Sequence, residues 1–305
     1  MYDICIIGAG PAGISSAVYA VSRGLKTLVL EQKAVGGLIG GVSTVTHYAG
    51  IVKEETGATF AARLREQAES AGAEIVLEQV TGVQLSGPVK TVTTGEHTYE
   101  AKAVIIAAGT TPRKLGIPGE AEFAGRGTGL NAARDGKRYA DKDIFVVGGA
   151  DGAVKEALYL SQFAKTLTII HFEDRLGTIP EFYKRVEKTE NIRLMLHSRL
   201  TQVRGNGQAD ELVVTDEHTG EQTVIQAPGC GIFIYAGSCP NTELYPQLEQ
   251  KDGYLMTDEK QATAIPGVYA AGDICVKQVR QAATAVSDGA VAAINAAAYV
   301  KSLER

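Results

Sequence analysis

Apolar positions along the chain change period several times, and those changes mark the elements. Residues 3–7 (Asp-Ile-Cys-Ile-Ile) are a short apolar run that stops at a glycine, the pattern of a strand buried on both faces. Gly8-Ala-Gly10-Pro11-Ala12-Gly13 follows, and then Ile14, Ala17, Val18 and Val21 fall at i, i+3, i+4 and i+7, one face of a helix. Gly24 stops that helix, and Thr27–Leu30 is a second apolar strand closed by Glu31. Strand, helix and strand within about thirty residues predict one βαβ unit. Strand-rich sequence with glycine and threonine turns runs over 74–100, and Ala103–Ala107 is another buried strand that opens into a loop at Ala108-Gly109.

The pattern then restarts. Asp143–Val147 reads as a strand, Gly148-Gly-Ala150-Asp151-Gly-Ala153 as a turn, and Val154, Ala157, Leu158 and Ser161 as one helix face. Thr166–Ile170 is the next strand, ending at His171-Phe172-Glu173-Asp174. Two such units about 140 residues apart predict two nucleotide-binding folds. Near the end, Ile265-Pro-Gly-Val-Tyr-Ala-Ala-Gly272-Asp273 precedes a long Ala-rich helix. The fold class is therefore α/β, with two doubly wound Rossmann-type domains. No low-complexity linker separates them, so the domains interleave: residues 1–113 with 239–305, and residues 116–236. The 305 residues suit two domains of ~150.

Composition narrows the function classes. Hydrophobic residues make up 45%, enough for full cores, and a net charge of −5 argues against a nucleic-acid-coating protein. The 35 glycines come with only 9 prolines and no triplet repeat, so they serve turns and close backbone approaches. No apolar run reaches the ~18 residues of a membrane span. Met-Tyr-Asp-Ile leads straight into a strand pattern without a basic n-region, which reads as no secretory leader. Cys5, Cys230, Cys239 and Cys275 form no C-x-x-C pair and no zinc spacing, so no metal site is expected and free thiols in a reducing cytoplasm are.

Gly8, Gly10 and Gly13 fit G-x-G-x-x-G. The first glycine makes the turn, the second lets the backbone approach a pyrophosphate, and the third packs helix on strand. The helix N-terminus offers N–H groups and positive dipole to the phosphates, and Glu31 suits the ribose hydroxyls of an adenosine. Gly148-x-Ala150-x-x-Ala153 is a degraded copy: the methyl of Ala150 stands where pyrophosphate needs a glycine.

Over nearly its whole length the chain resembles the thioredoxin-reductase-like pyridine nucleotide flavoproteins. The stretches that carry this are Gly8–Gly13, Gly36-Gly37, Ala107-Ala-Gly109-Thr-Thr-Pro112, Gly125-Arg-Gly127, Val146-Val-Gly-Gly149, and Ala270-Ala-Gly272-Asp273 followed by Arg280-Gln281-Ala282. The resemblance implies FAD in the first site, with Gly8, Gly10, Pro11, Ala12, Gly13, Glu31, Gly37, Gly109, Gly272, Asp273, Arg280, Gln281 and Ala282 around it. It implies that Asp273 hydrogen-bonds the ribityl chain, that Arg280-Gln281-Ala282 open the last helix beneath the isoalloxazine, and that the protein is a homodimer. His47 falls in a stretch that approaches the flavin ring in relatives, where a histidine could donate a proton; an ordinary loop histidine is the competing reading.

Two departures redirect the function. Relatives that use NADPH carry an arginine pair after the terminal histidine of the second strand, whereas here Phe172 and Glu173 follow His171. A carboxylate repels a 2′-phosphate and suits a free ribose diol, so Gly148, Ala150, Asp151 and Glu173 point to NADH rather than NADPH, or to a vestigial site. Thioredoxin reductases proper also place C-x-x-C before the second βαβ unit, and the matching segment here is Asn131-Ala-Ala-Arg134. Neither position can form a thiolate, so a flavin-to-dithiol relay is excluded there. From Thr111 to Lys142 seven cations face four acids, a local net charge of +3 that would attract an acidic carrier of the ferredoxin or flavodoxin type. Ferredoxin:NAD(P) reductases of this fold also lack the dithiol. The expected function is thus an FAD-dependent oxidoreductase exchanging electrons with such a carrier. Direct reduction of a small disulfide, quinone or oxygen, and a flavin-binding regulatory or scaffold role, remain open alternatives.

Overall fold

The computed structural model describes residues 1–51 and 55–304. The chain divides into two compact units, Met1–Thr111 with Cys239–Arg305, and Pro112–Ser238. The first begins with β1 (Tyr2–Ile7), α1 (Pro11–Val21), β2 (Thr27–Leu30), α2 (Gly57–Ala71), β3 (Glu74–Val76), β4 (Val80–Gln84), β5 (Lys90–Thr94) and β6 (Thr98–Ile106). The chain leaves through β7 (Thr110–Pro112). The second unit holds α3 (Ala132–Asp135), β8 (Asp143–Val147), α4 (Asp151–Leu160), β9 (Thr166–Ile170), α5 (Pro180–Glu187), β10 (Ile192–Met195), β11 (Ser198–Arg204), β12 (Glu211–Asp216), β13 (Gln222–Gln226) and β14 (Gly231–Ile234). The chain returns through β15 (Ser238–Pro240), then β16 (Gln250–Lys251), β17 (Tyr254–Leu255), β18 (Val268–Ala270) and the helix α6 (Ala282–Ser302).

In the first unit the sheet runs β3-β2-β1-β6-β5-β4, with β18 also paired to β6. Strands β3, β2, β1, β6 and β18 are parallel, whereas β5 and β4 pair antiparallel. The nine-residue β6 is shared: Thr98–Ala101 pair with β5 and Val104–Ile106 with β18. Period-two alternation divides the apolar strands between two cores. Ile4, Ile6, Ala103 and Ile105 join α1 and α6 on one face, and Cys5, Ile7, Val104 and Ile106 join Tyr245, Leu248 and Leu255 on the other. The second unit repeats this logic with a parallel sheet β10-β9-β8-β14. Ile144 and Val146 pack toward α4 and α5, and Phe145 and Val147 toward the antiparallel layer β11-β12-β13. In both units the layer opposite the helices is built from strands or irregular chain.

Helix α1 is held from two sides. A Cβ on Gly13 would lie 1.8 Å from the Gly8 carbonyl oxygen, and one on Gly289 of α6 would lie 2.1 Å from that of Ala12. Ser15 Oγ donates to Val286 O at 2.7 Å and buried Ser16 Oγ to Gly289 O at 3.0 Å. Alanines at 285, 292, 293 and 296 complete the seam. Replacing Gly289 by valine is expected to destabilise the protein by about 1–3 kcal/mol through overpacking against α1. Urea unfolding checks this, and an unchanged midpoint would contradict the close helix contact.

Candidate functional site

In open α/β sheets, ligands bind beyond the carboxyl ends of the strands. The residues singled out in the sequence collect there: Gly8–Gly13 after β1, Glu31 after β2, Gly109 after β6, and Gly272-Asp273 after β18. Gly8 has φ +105°, a conformation that side chains disfavour, and its N–H donates to Leu30 O at 2.8 Å. The turn thereby leaves the sheet and opens α1 with Pro11 at its first position, where a missing N–H costs nothing. Gly10 is the N-cap, without any side-chain capping bond, and a Cβ there would meet nothing within 4 Å. An uncapped helix start beside open space fits a dinucleotide pyrophosphate. Gly37 closes the cradle, since a Cβ on it would lie 3.3 Å from Gly10 Cα.

Glu31 Oε2 accepts the Ala9 N–H and Oε1 the Lys33 N–H, both at 2.9 Å. Each carboxylate oxygen has a second lone pair to offer ribose hydroxyls. Asp273 is half-buried, and its Oδ1 is buried with no hydrogen-bond partner, an orphaned acceptor that a ribityl hydroxyl would satisfy. Burial pushes its carboxyl above the usual range; Lys277 and Arg280 pull it back, and Asp288 adds to the rise. Gln281 is the N-cap of α6, with its N–H on Thr284 Oγ1 at 3.1 Å, and Ala282 is the first helical residue. His47 is exposed, at φ +53°, with Nδ1 3.2 Å from Thr46 Oγ1. Cys275 lies two residues beyond Asp273, but burial pushes its thiol up to about 12, so it is no nucleophile at neutral pH.

Beyond β8, Gly148 turns at φ +129° and Ala150 is the N-cap of α4, without a side-chain capping bond. Asp151 Oδ1 accepts from Thr178 Oγ1 (2.8 Å) and the Ile179 N–H (2.9 Å), so that oxygen pins the loop before α5. The buried His171 ring lies against Gly149, where a Cβ would come within 2.5 Å of it. Its Nε2 sits 3.2 Å from Oε2 of the half-exposed Glu173. Phe172 is exposed beneath Arg199, whose Cζ is 4.5 Å from the ring centroid and whose Nε pairs with Glu217 at 2.7 Å.

Asn131-Ala-Ala-Arg134 forms the N-cap and first residues of the one-turn α3, with the Asn131 side chain accepting the Arg134 N–H at 3.0 Å. The next residue, Asp135, is 4% exposed. It takes Arg134 Nη2 at 2.7 Å, the Asn131 N–H at 2.8 Å and Arg138 Nη1 at 3.6 Å. Burial pushes its carboxyl up, but Arg134, the Asn131 N–H and Arg138 outweigh that and hold it below the ordinary value. Cys230 is buried, its thiol raised to about 12 by that burial, whereas Cys239 is exposed.

Sequence reasoning missed Lys277, Asp288 and Tyr254. Asp288 Oδ2 accepts the Gly272 N–H at 3.0 Å and also pairs with Lys277. Its signal was a lone acid interrupting an alanine-rich helix.

Two Rossmann-type units, the first with a dinucleotide cradle, define a nucleotide-binding α/β protein of two domains. The family model described as pyridine nucleotide-disulphide oxidoreductase matches residues 2–289. A thioredoxin reductase of Peptoclostridium litorale is 38% identical over 309 residues, covering 99% of this chain and 98% of that protein. A 34.2 kDa protein in the rubredoxin operon of Clostridium pasteurianum is 38% identical over 301 residues, covering 98% of this chain and 97% of its own. The crystal structure of Lactococcus lactis thioredoxin reductase matches with a TM-score of 0.95 at 36% identity, over 99% of this chain and 100% of that one. The chain belongs to the pyridine nucleotide-disulphide oxidoreductase family.

An alanine at position 10 places a methyl in the open space of the cradle. FAD titration of the apoprotein is expected to show affinity weakened roughly tenfold or more, with the apoprotein's unfolding temperature unchanged. Unchanged affinity would contradict the pyrophosphate assignment.

Proposed function

We propose that this oxidoreductase couples NADH to a one-electron protein carrier of acidic surface, such as a ferredoxin or flavodoxin, without a dithiol relay. The unit Met1–Thr111 with Cys239–Arg305 holds FAD, and the unit Pro112–Ser238 receives the nicotinamide nucleotide. The observation that carries this reading is the segment Asn131–Arg134. Where thioredoxin reductases keep a redox dithiol, this chain has a capped helical turn whose arginine is committed to Asp135. No C-x-x-C occurs anywhere in the sequence. FAD, when bound, can take up a hydride and release electrons singly, which suits this coupling.

The protein's own residues supply recognition. Arg113, Lys114, Arg126, Arg134, Lys137, Arg138 and Lys142 are exposed, and they offer an acidic partner a cationic surface on a chain of net charge −5. Arg134 and Arg138 are anchored by buried Asp135, so they lose little freedom on docking. One similar protein takes its name from a rubredoxin operon, and rubredoxin is an electron carrier. Glu173 favours NADH, because a carboxylate accepts from a ribose diol and repels a 2′-phosphate. The protein works as a homodimer in a reducing cytoplasm, in keeping with its family resemblance and its free thiols.

Under anaerobic conditions, NADH is expected to bleach the visible flavin band and NADPH to leave it. Bleaching by NADPH alone, or by neither while dithionite succeeds, would overturn the NADH assignment. Ala150→Gly is expected to tighten NADH binding by roughly tenfold, by restoring backbone approach to the pyrophosphate. Reduced protein should pass electrons to ferredoxin or flavodoxin at a rate that falls with added salt. Transfer to neither carrier would sink the partner assignment.

A further inference from the structure

Arg280 belongs by resemblance to the residues beneath the flavin, yet its side chain is committed to its own chain. Nη2 donates to Cys275 O at 3.2 Å, Nη1 to Lys277 O at 3.2 Å and Nε to Asp273 O at 3.4 Å. Those carbonyls belong to alternate residues, and one planar fork collects all three, which a lysine could not do. Its Cζ lies 4.0 Å from the Tyr254 ring centroid. Tyr254 is fixed in turn, because Leu255 donates to Ile274 O and accepts the Val276 N–H, both at 2.9 Å. From the other side, Asp288 of α6 holds the Gly272 N–H and the Lys277 ammonium. Gly272 itself, at φ +84°, lies so near α1 that a Cβ would be 2.9 Å from Ala12 Cβ. The turn between β18 and α6 is thus clamped by α1, by α6 and by β17.

We propose that Arg280 is a positioning residue that never touches the flavin: it braces the Gly272–Lys277 turn and so holds the Asp273 carboxyl in place to accept from the ribityl chain. Lys277 and Asp288 complete the clamp. The inference rests on the placement of FAD in this unit. Three charged groups bear on the Asp273 carboxyl: Lys277 and Arg280 lower its proton affinity and Asp288 raises it, against a background of burial that also raises it. Hydroxyl groups bond a carboxylate more strongly than a carboxylic acid. FAD should therefore be held above the Asp273 pKa and released as pH falls through it. Loss of the Arg280 charge moves that release to higher pH.

The test follows flavin fluorescence as the yellow holoprotein is taken stepwise from neutral into acid pH and releases FAD. Arg280→Gln is expected to raise the midpoint of release by roughly one pH unit. Arg280→Lys, which keeps the charge but not the fork, should hold FAD more weakly at every pH with the midpoint nearly unmoved. Tyr254→Leu removes no charge but frees the guanidinium, and should shift the midpoint upward by less than Arg280→Gln does. In Asp273→Asn this acid-dependent step should vanish. Weakening by Arg280→Gln that is equal at every pH would overturn the charge effect on Asp273, and unaltered release in all the Arg280 variants would overturn the brace. A wild-type pH curve in Asp273→Asn would overturn both the brace and the placement of Asp273 at the flavin.

Discussion

Everything in the first unit depends on how closely α1 can approach the chain around it. Gly13 sits where a single methyl would fall 1.8 Å from the Gly8 carbonyl oxygen, and Gly289 where one would fall 2.1 Å from that of Ala12. Those two absent side chains let a short helix lie between β1 and α6 with its uncapped start facing open space at Gly10. The same approach brings Ala12 beside Gly272, so the cradle after β1 and the turn after β18 share one support. A dinucleotide cofactor needs both ends held at once, and this seam of small residues provides that rigidity.

Charge then decides what the two units can do. In the first, the acids at the carboxyl ends of β2 and β18 are half-buried and answered by backbone N–H groups or by neighbouring cations: Glu31 by Ala9 and Lys33 amides, Asp273 by Lys277 and Arg280. In the second, Glu173 at the end of β9 leans on His171, and Arg199, stacked on Phe172, is paired with Glu217. Asp135 shows the same economy: a buried carboxylate is tolerable because two arginines and an amide surround it. Those arginines stay exposed on their outer sides, which turns a structural ion pair into a charged surface.

Much of this was legible in the chain because fully buried parallel strands read as continuous apolar runs. Thr27–Leu30, Asp143–Val147 and Thr166–Ile170 are strands with the bounds their hydrophobic runs predict. Strand β6 starts earlier than Ala103, at Thr98, since its first half pairs with β5 at a partly exposed part of the sheet and carries polar residues. The strands β11 and β13 left little trace, because polar side chains interrupt their apolar positions, and the apolar run of β12 is only three residues long. The glycine cradle was legible since six consecutive residues make it. The clamp on Asp273 was not, since it joins Ala12, Tyr254, Gly272, Lys277, Arg280 and Asp288 from separate elements, and only the fold brings them together. Arg280 illustrates the gap: the family resemblance put it beneath the flavin, and only the fold shows its guanidinium hydrogen-bonded to three carbonyls of the preceding turn.

In the proposed reaction electrons pass through the flavin with no thiol partner. An anaerobic reductive titration with dithionite, read at the flavin band, counts the electrons each FAD-bearing subunit accepts. Full bleaching after two electrons per FAD is the required result. Uptake of four electrons would reveal a redox-active disulfide in series with the flavin, and would contradict the account.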